Sequence, residues 1–215
     1  MLIAVEGLIG QGKTTLCTNL HRECGMEFLS EPLDSNPFLN PYYENPKRWA
    51  FAMQANLLCE RFAMFQHAQW LSHQGKDVCI DRSFYGDYAF AVVQVEDGYM
   101  TPDEFEAYRK MHELHQRYLL FPDLIIRLDC SIETTMQRIR SRGRECENGI
   151  PESYIRHLSS AYDKLFLELC KIARVVTIDA EQPFPKVLSD AMNAIRFRRT
   201  ELTHNDWSYP HYKGV

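Results

Sequence analysis

Short apolar runs alternate with longer stretches of helical spacing along the 215 residues of the chain. The runs are Leu2–Val5, Met26–Leu29, Val78–Ile80, Leu124–Leu128 and Val175–Ile178. Between them, polar and apolar positions recur with helical period near 14–24, 46–74, 83–95, 101–120, 131–143, 151–173 and 184–199. Five strands, each followed by helix, predict an α/β fold in which a parallel sheet is covered by helices on both faces. No internal repeat or low-complexity linker interrupts the pattern, which gives a single domain over 1–200. A tail, 201–215, carries Trp207, Tyr209, His211 and Tyr212 without helical period. A docked arm and a partly disordered end are both open for it.

The composition narrows the class. Hydrophobic residues make up 45% of the chain and charged residues 25%, as in an ordinary globular domain. A net charge of −5 argues against a nucleic-acid partner or a membrane surface, both of which favour basic excess. The seven cysteines are scattered and contain no C-x-x-C, a pattern that fits free buried thiols in a reducing compartment. With no basic leader and no apolar stretch of about 20 residues, the expected location is the cytoplasm.

Directly after the first apolar run, residues 7–14 read Gly-Leu-Ile-Gly-Gln-Gly-Lys-Thr, a complete G-x-x-x-x-G-K-[ST]. The backbone N–H groups of such a loop point inward and cradle a polyphosphate. Gly7 and Gly12 allow angles that a side chain would forbid. Leu8, Gly10 and Gln11 lie in the loop, Lys13 supplies a cation for the outer phosphates, and Thr14 offers a hydroxyl to Mg²⁺. Thr15 continues into a helix whose dipole adds to the anion site. A nucleotide such as ATP is therefore the expected ligand. The loop does not say what happens to its phosphates.

In sheets of this kind ligands gather at the carboxyl ends of the strands. Ser30-Glu31-Pro32 follows the second run, Asp81-Arg82-Ser83 the third, and Asp129 with the Arg138–Arg144 run the fourth. Phosphoryl transfer needs positioning, charge neutralisation, a metal and an acceptor for the proton of the attacking hydroxyl. Glu31, held extended by Pro32, is the candidate base; a solvated loop carboxylate is the alternative. Asp81 and Arg82 open the next helix with Ser83 as N-cap. Asp81 is a candidate Mg²⁺ partner beside Thr14, and Arg82 a forked donor to phosphate; a purely structural ion pair is the other reading. Arg138 and Arg142 share one helical face, Arg140 and Arg144 another. They form either a lid over phosphates, about 142–151, or a solvated face. Gln54 and Arg61 stand seven apart on one helix, within reach of one planar ring, though each alone is usually a surface residue. His112 and His115 lack a third metal ligand and are read as ordinary.

Together these residues resemble the deoxynucleoside kinase family over nearly the whole chain. The matching pieces are Gly7–Thr14, Glu31-Pro32, Tyr43-Glu-Asn-Pro-Lys-Arg-Trp49 with Gln54, Asp81-Arg82-Ser83 and Arg138–Glu147. The resemblance implies a P-loop kinase fold with an Arg-rich lid, ATP and Mg²⁺, a deoxynucleoside substrate, and a homodimer built through helices flanking the sheet. It implies that Glu31 is the general base and that Arg82 steadies it and the transferring phosphoryl. Tyr43 and Glu147 would hold the sugar 3′-hydroxyl, Gln54 would pair with the base, and Phe90 would stack on it. Arg61 and Asp87 look like the family's pair for bases with exocyclic amino groups. Arg138, Arg142, Arg144 and Phe184 would serve ATP.

The chain also departs from the family's common pattern. Ser35-Asn36-Pro37-Phe38 follows Glu-Pro where many animal members carry an aromatic residue, and Asp-Arg-Ser replaces Glu-Arg-Ser. Both variants look like the bacterial purine-deoxynucleoside branch, favouring deoxyadenosine or deoxyguanosine over deoxycytidine and thymidine. Pro183 precedes Phe184 where an acidic residue often grips the donor adenine. The alternatives are a thymidylate-type nucleoside-monophosphate kinase and a non-catalytic nucleotide-binding protein. Leu8, Ile9, Gly10 and Gln11, in place of a charged residue within the loop, argue against the first; Lys13, Glu31 and Arg82 together argue against the second.

Overall fold

A computed structural model of the chain describes residues 1–33, 35–143 and 149–204, with His204 described by its backbone alone. Five parallel strands, β1 Leu2–Glu6, β2 Glu27–Leu29, β3 Val78–Asp81, β4 Leu124–Asp129 and β5 Val175–Asp179, form one sheet in the order β2-β3-β1-β4-β5. Eight helices accompany them among the described residues: α1 Lys13–Cys24, α2 Leu39–Glu44, α3 Pro46–His73, α4 Phe84–Glu96, α5 Pro102–Gln116, α6 Ile132–Arg142, α7 Glu152–Ile172 and α8 Phe184–His204. The predicted α/β architecture, its five strands and the seven predicted helices are all present. One helix, α2, is additional. Only six residues long and containing Pro41, it is too short for a period to register.

Alternation along the strands divides the core. Leu2 and Ala4 of β1, with Val78, Ile80 and Ile125, face a layer built from α3, α4, α6 and α7. Ile3 and Val5, with Cys79, Leu124, Ile126 and Ile178, face α1 and α8. Both faces are buried, which is why the central strands read as continuous apolar runs. A smaller cluster of Tyr42, Ala50, Met53, Leu57 and Met100 joins α2 to α3.

The strand order places the carboxyl ends of β2, β3 and β1 side by side. β1 pairs with β3 through Leu2↔Val78 to Val5↔Asp81, and β3 with β2 through Val78↔Glu27 to Ile80↔Leu29. The loops after these three strands are therefore neighbours, although they come from residues 7, 30 and 82. Asp81 and Arg82 do not open α4, as the sequence suggested. Asp81 is the last residue of β3, and the Arg82 N–H donates to the Val5 carbonyl at 2.9 Å, extending the ladder one step. Ser83 then caps α4, its side chain accepting from the N–H groups of Tyr85 and Gly86.

Of the cysteines, the reading as free buried thiols holds for Cys17 and Cys79, whose sulfurs lie 3.2 Å apart between α1 and β3. Cys24, Cys59 and Cys170 are free but exposed, because they sit on the solvent faces of α1, α3 and α7. Among the described residues no helix is long and apolar enough to cross a membrane. Helix α8 continues to His204, so residues 201–204, expected to belong to the tail, are helical; the rest of it, 205–215 with Trp207, Tyr209, His211 and Tyr212, lies outside the described residues.

One buried contact ties the end of β1 to the start of α4. Glu6, fully buried, accepts from the N–H and the hydroxyl of Ser83, both at 2.6 Å, and from the Tyr162 hydroxyl at 3.2 Å. A Cβ added at Gly86 would lie 2.5 Å from this carboxylate, which these bonds hold in place. Helix propensity alone would make Gly86→Ala stabilising by about 1 kcal/mol. The packing predicts the opposite sign, a loss of about 1–3 kcal/mol. Urea unfolding of the variant checks this; a raised midpoint would contradict it.

Candidate active site

Between β1 and α1 the phosphate loop is formed by residues 7–12. Gly7 and Gly12 have φ of 149° and 91°, and a Cβ at Gly7 would meet the Leu128 carbonyl at 2.7 Å. Both positions need glycine, one for close approach and one for its left-handed backbone. Within the loop the Gln11 side chain accepts from the Leu8 N–H at 2.7 Å. No side chain caps α1, so its first N–H groups face the loop's interior. The Lys13 Nζ donates to the Leu8 carbonyl at 2.8 Å and is buried. Burial lowers the Lys13 pKa to about 8, with the neighbouring Arg82 acting in the same direction. Thr15, on the outer side of α1, is exposed.

Opposite Lys13, the Thr14 hydroxyl donates to Oδ2 of Asp81, and Asp81 Oδ1 is buried with no hydrogen-bond partner in the protein. This pairing of a hydroxyl with a carboxylate that has an oxygen to spare fits a magnesium ion shared with phosphates and water. No group of three or more His, Cys, Asp or Glu able to hold a metal by themselves occurs among the described residues. His112, read as ordinary, stacks on Phe84 at 4.3 Å, and burial lowers its pKa to about 4.

Glu31, from the loop after β2, sits at the centre of a chain of buried charges. One of its oxygens takes Arg61 Nη2 and Arg82 Nε, the latter at 2.7 Å. Burial alone would raise the Glu31 pKa; Arg82, Arg61 and Lys13 override it and hold the pKa at about 2. Arg61 is 2% exposed and pairs through its other nitrogen with Asp87. Arg82, equally buried, donates to the Tyr162 hydroxyl, lies 4.0 Å from Glu6 and stacks at 4.7 Å over the Phe90 ring. Its own φ is 67°, a left-handed backbone that a non-glycine residue rarely adopts. That turn lets the chain leave β3 with Arg82 directed inward and Ser83 free to cap α4.

A cavity of about 740 Å³ adjoins this chain of charges. Lys13, Thr14, Glu31, Tyr43, Gln54, Arg61, Asp81, Arg82, Phe90 and Arg142 all line it. These candidates are thus brought together from seven segments: α1, the loop after β2, α2, α3, the end of β3, α4 and α6. Gln54 and Arg61 are buried rather than on the surface, because the α3 face that carries them packs toward α4. Gln54 donates to the Asp87 backbone carbonyl at 3.2 Å and accepts from Gln94 at 2.9 Å. Asp87 does not line the cavity. It stands behind Arg61, its second oxygen accepting from the Tyr108 hydroxyl at 2.5 Å.

The remaining candidates lie elsewhere. Arg138 turns toward the β5–α8 connection, donating to the Ala180 carbonyl at 2.7 Å. Phe184 is half-buried at the start of α8 and is not part of the cavity wall. Arg144 and Glu147, with most of the proposed lid, lie outside the described residues. The sequence reading missed Glu6, Gln94, Tyr154 and Tyr162. Gln94 carried a signal as a polar residue inside the apolar run Ala89–Val95, and Glu6 a weaker one as the carboxylate that directly follows the run Leu2–Val5. Tyr154 and Tyr162 carried none, since at helical spacing a tyrosine looks like core.

Three comparisons bear on this arrangement. The model of the deoxynucleoside kinase family matches residues 3–197. A deoxyadenosine kinase of Dictyostelium discoideum is 32% identical over 193 residues, covering 89% of this chain and 78% of that protein. A deoxyguanosine kinase of Bacillus subtilis is 32% identical over 183 residues, covering 83% and 86%. Among solved structures, deoxyadenosine kinase from M. mycoides, with products dCMP and a flexible dCDP bound, superposes with a TM-score of 0.84 at 27% identity, covering 92% of this chain and all of that one.

The electrostatics of the loop can be checked without any ligand. Titration of the Lys13 Cε signal by NMR should give a midpoint of about 8, so that the side chain is charged at neutral pH and loses its charge as pH rises past that point. A midpoint near the ordinary lysine value of about 10.4 would contradict the placement.

Proposed function

The chain belongs to the deoxynucleoside kinase family and phosphorylates a deoxynucleoside, and from that premise we propose that it transfers the γ-phosphate of ATP to the 5′-hydroxyl of a purine deoxynucleoside. Deoxyadenosine and deoxyguanosine are the favoured acceptors, deoxycytidine a further one, and nucleotide salvage the role. The observation that carries this reading is Glu31, a carboxylate kept ionised between two buried guanidiniums on the wall of the cavity that also holds Lys13 and Thr14.

The acceptor's 5′-hydroxyl donates to Glu31, which orients the oxygen toward the donor phosphate. A pKa of about 2 makes Glu31 a weak base but an always available acceptor. That suits phosphoryl transfer, whose loose transition state asks for alignment first and takes the proton late. Arg82 holds Glu31 in place and presents its remaining N–H groups to the charge spreading over the transferring phosphoryl. Lys13 and the loop's N–H groups hold the donor's outer phosphates. Thr14 and Asp81 would hold Mg²⁺, which when bound neutralises phosphate charge. Tyr43, and Glu147 from outside the described residues, are assigned to the sugar; Gln54 and Arg61, the latter fixed by Asp87, face the base. Phe90 closes the wall, although one face of its ring carries the Arg82 guanidinium.

Relatives named deoxyadenosine and deoxyguanosine kinases support the purine reading. So does the polar end of the wall, where the side-chain amides of Gln54 and Gln94 suit an amino-bearing base and thymine offers no amino group. Arg142 lines the same cavity and Arg138 lies one helical turn before it, consistent with a lid of residues about 142–151. A single domain over 1–200, a homodimer and a cytoplasmic location complete the reading.

Replacing Glu31 with Gln keeps the shape and removes the charge. The variant should lose about 10²–10³-fold in kcat while the Kd for ATP changes by less than about threefold. A coupled assay together with calorimetric ATP binding checks this. Unchanged kcat would remove Glu31 from the reaction.

A further inference from the structure

We propose that Gln94 is a specificity-determining residue, presenting its side-chain oxygen to an exocyclic amino group of the substrate base; this rests on the reading of the cavity as a deoxynucleoside site. The inference starts from hydrogen-bond polarity. A backbone carbonyl only accepts, so the Gln54 amide must turn its nitrogen to the Asp87 carbonyl, 3.2 Å away. Its oxygen is then fixed as the acceptor for Gln94 Nε2 at 2.9 Å. With its nitrogen committed to Gln54, Gln94 has its oxygen pointing away from that bond. The orientation of both amides thus follows from one carbonyl.

That oxygen, Oε1, is buried and has no hydrogen-bond partner in the protein, while Gln94 itself is 1% exposed and lines the cavity. A buried acceptor left unmatched is rare and calls for a partner from outside the chain. The backbone beneath it is held firmly, since the Gln94 carbonyl accepts from the N–H groups of Tyr99 at 2.8 Å and Met100 at 3.0 Å. Asp87, the other acceptor near the base, is occupied by Arg61 and Tyr108. Beside Gln54, Gln94 Oε1 is the buried side-chain acceptor left without a hydrogen bond among the described residues. The group it fits is an N–H donor on a ring edge: an exocyclic amino group such as those of adenine, guanine and cytosine.

The test compares wild type and Gln94→Met, which keeps length and bulk but carries no oxygen, with ATP as donor. The acceptors are 2′-deoxyadenosine against purine 2′-deoxyriboside, and 2′-deoxyguanosine against 2′-deoxyinosine, each pair differing by one amino group. Wild type should favour the amino-bearing member of at least one pair by about tenfold or more in kcat/KM. In Gln94→Met that preference should collapse to within about threefold, through a rise in KM for the amino-bearing member with kcat and the desamino member little changed. Gln94→Leu, assayed in parallel, serves if the Met variant does not fold. Equal losses on both members would assign Gln94 to packing, and an unchanged ratio would remove it from recognition; either overturns the proposal. If wild type phosphorylates none of the four nucleosides, the purine reading itself fails, and that result is separate from the ratio.

Discussion

Glu31 shared between Arg61 and Arg82 is the interaction on which the rest of this structure turns. From it a line of alternating charges runs both ways, through Arg82 to Glu6 and through Arg61 to Asp87. All five side chains are buried or nearly so, and each ion would cost several kcal/mol of desolvation if it stood alone. Removing one member of such a chain leaves a neighbour uncompensated, typically at a cost of ~3–5 kcal/mol. The line therefore fixes β1, the loop after β2, the end of β3, α3 and α4 relative to one another. Its three middle members, Arg61, Glu31 and Arg82, line a cavity, so the order it imposes is delivered to the groups around that cavity.

The sheet order is what makes this line possible. With β3 between β2 and β1, the loops at residues 7, 30 and 82 share one edge of the sheet, and three short segments remote in sequence supply phosphate cradle, carboxylate and guanidinium. Arg82 bears the local cost in its left-handed backbone, a conformation worth ~1–3 kcal/mol of strain that the Ser83 cap, the Glu6 contact and the ion pair to Glu31 outweigh. The same Glu6 that receives Ser83 also receives Tyr162, tying α7 to the first strand.

Much of this was legible in the residues. The alternation of short apolar runs with long helical periods gave all five strands and seven of the helices, because a sheet buried on both faces leaves little room for polar residues. The phosphate loop was legible because its chemistry demands glycine, lysine and threonine at fixed places. Asp87 was read, with Gln54 and Arg61, as offering its carboxylate to the edge of the base. A one-dimensional pattern carries no depth, and the geometry sets Asp87 behind the arginine rather than on the cavity wall. Gln54 and Arg61 taken singly looked like surface, since burial of a polar residue depends on partners from other elements, here Asp87, Gln94 and Glu31. Gln94 is a polar residue within Ala89–Val95 and was passed over, because its meaning depends on a bond to an amide forty residues earlier. Tyr162 was hidden because a tyrosine on a buried helical stripe is mostly ring, and its hydroxyl finds a charge only in three dimensions; Tyr154, on the cavity wall, was hidden for the same lack of a local signal.

The central claim is that this buried line of charge, with the side-chain amides of Gln54 and Gln94 beside it, presents an amino-bearing deoxynucleoside to a phosphate donor. It is tested most directly by kcat/KM for the four natural deoxynucleosides with ATP under one set of conditions. Deoxyadenosine or deoxyguanosine should give the highest value, deoxycytidine a measurable one and thymidine the lowest. A preference for thymidine would contradict the account, since thymine has no amino group for the acceptors on that wall to meet.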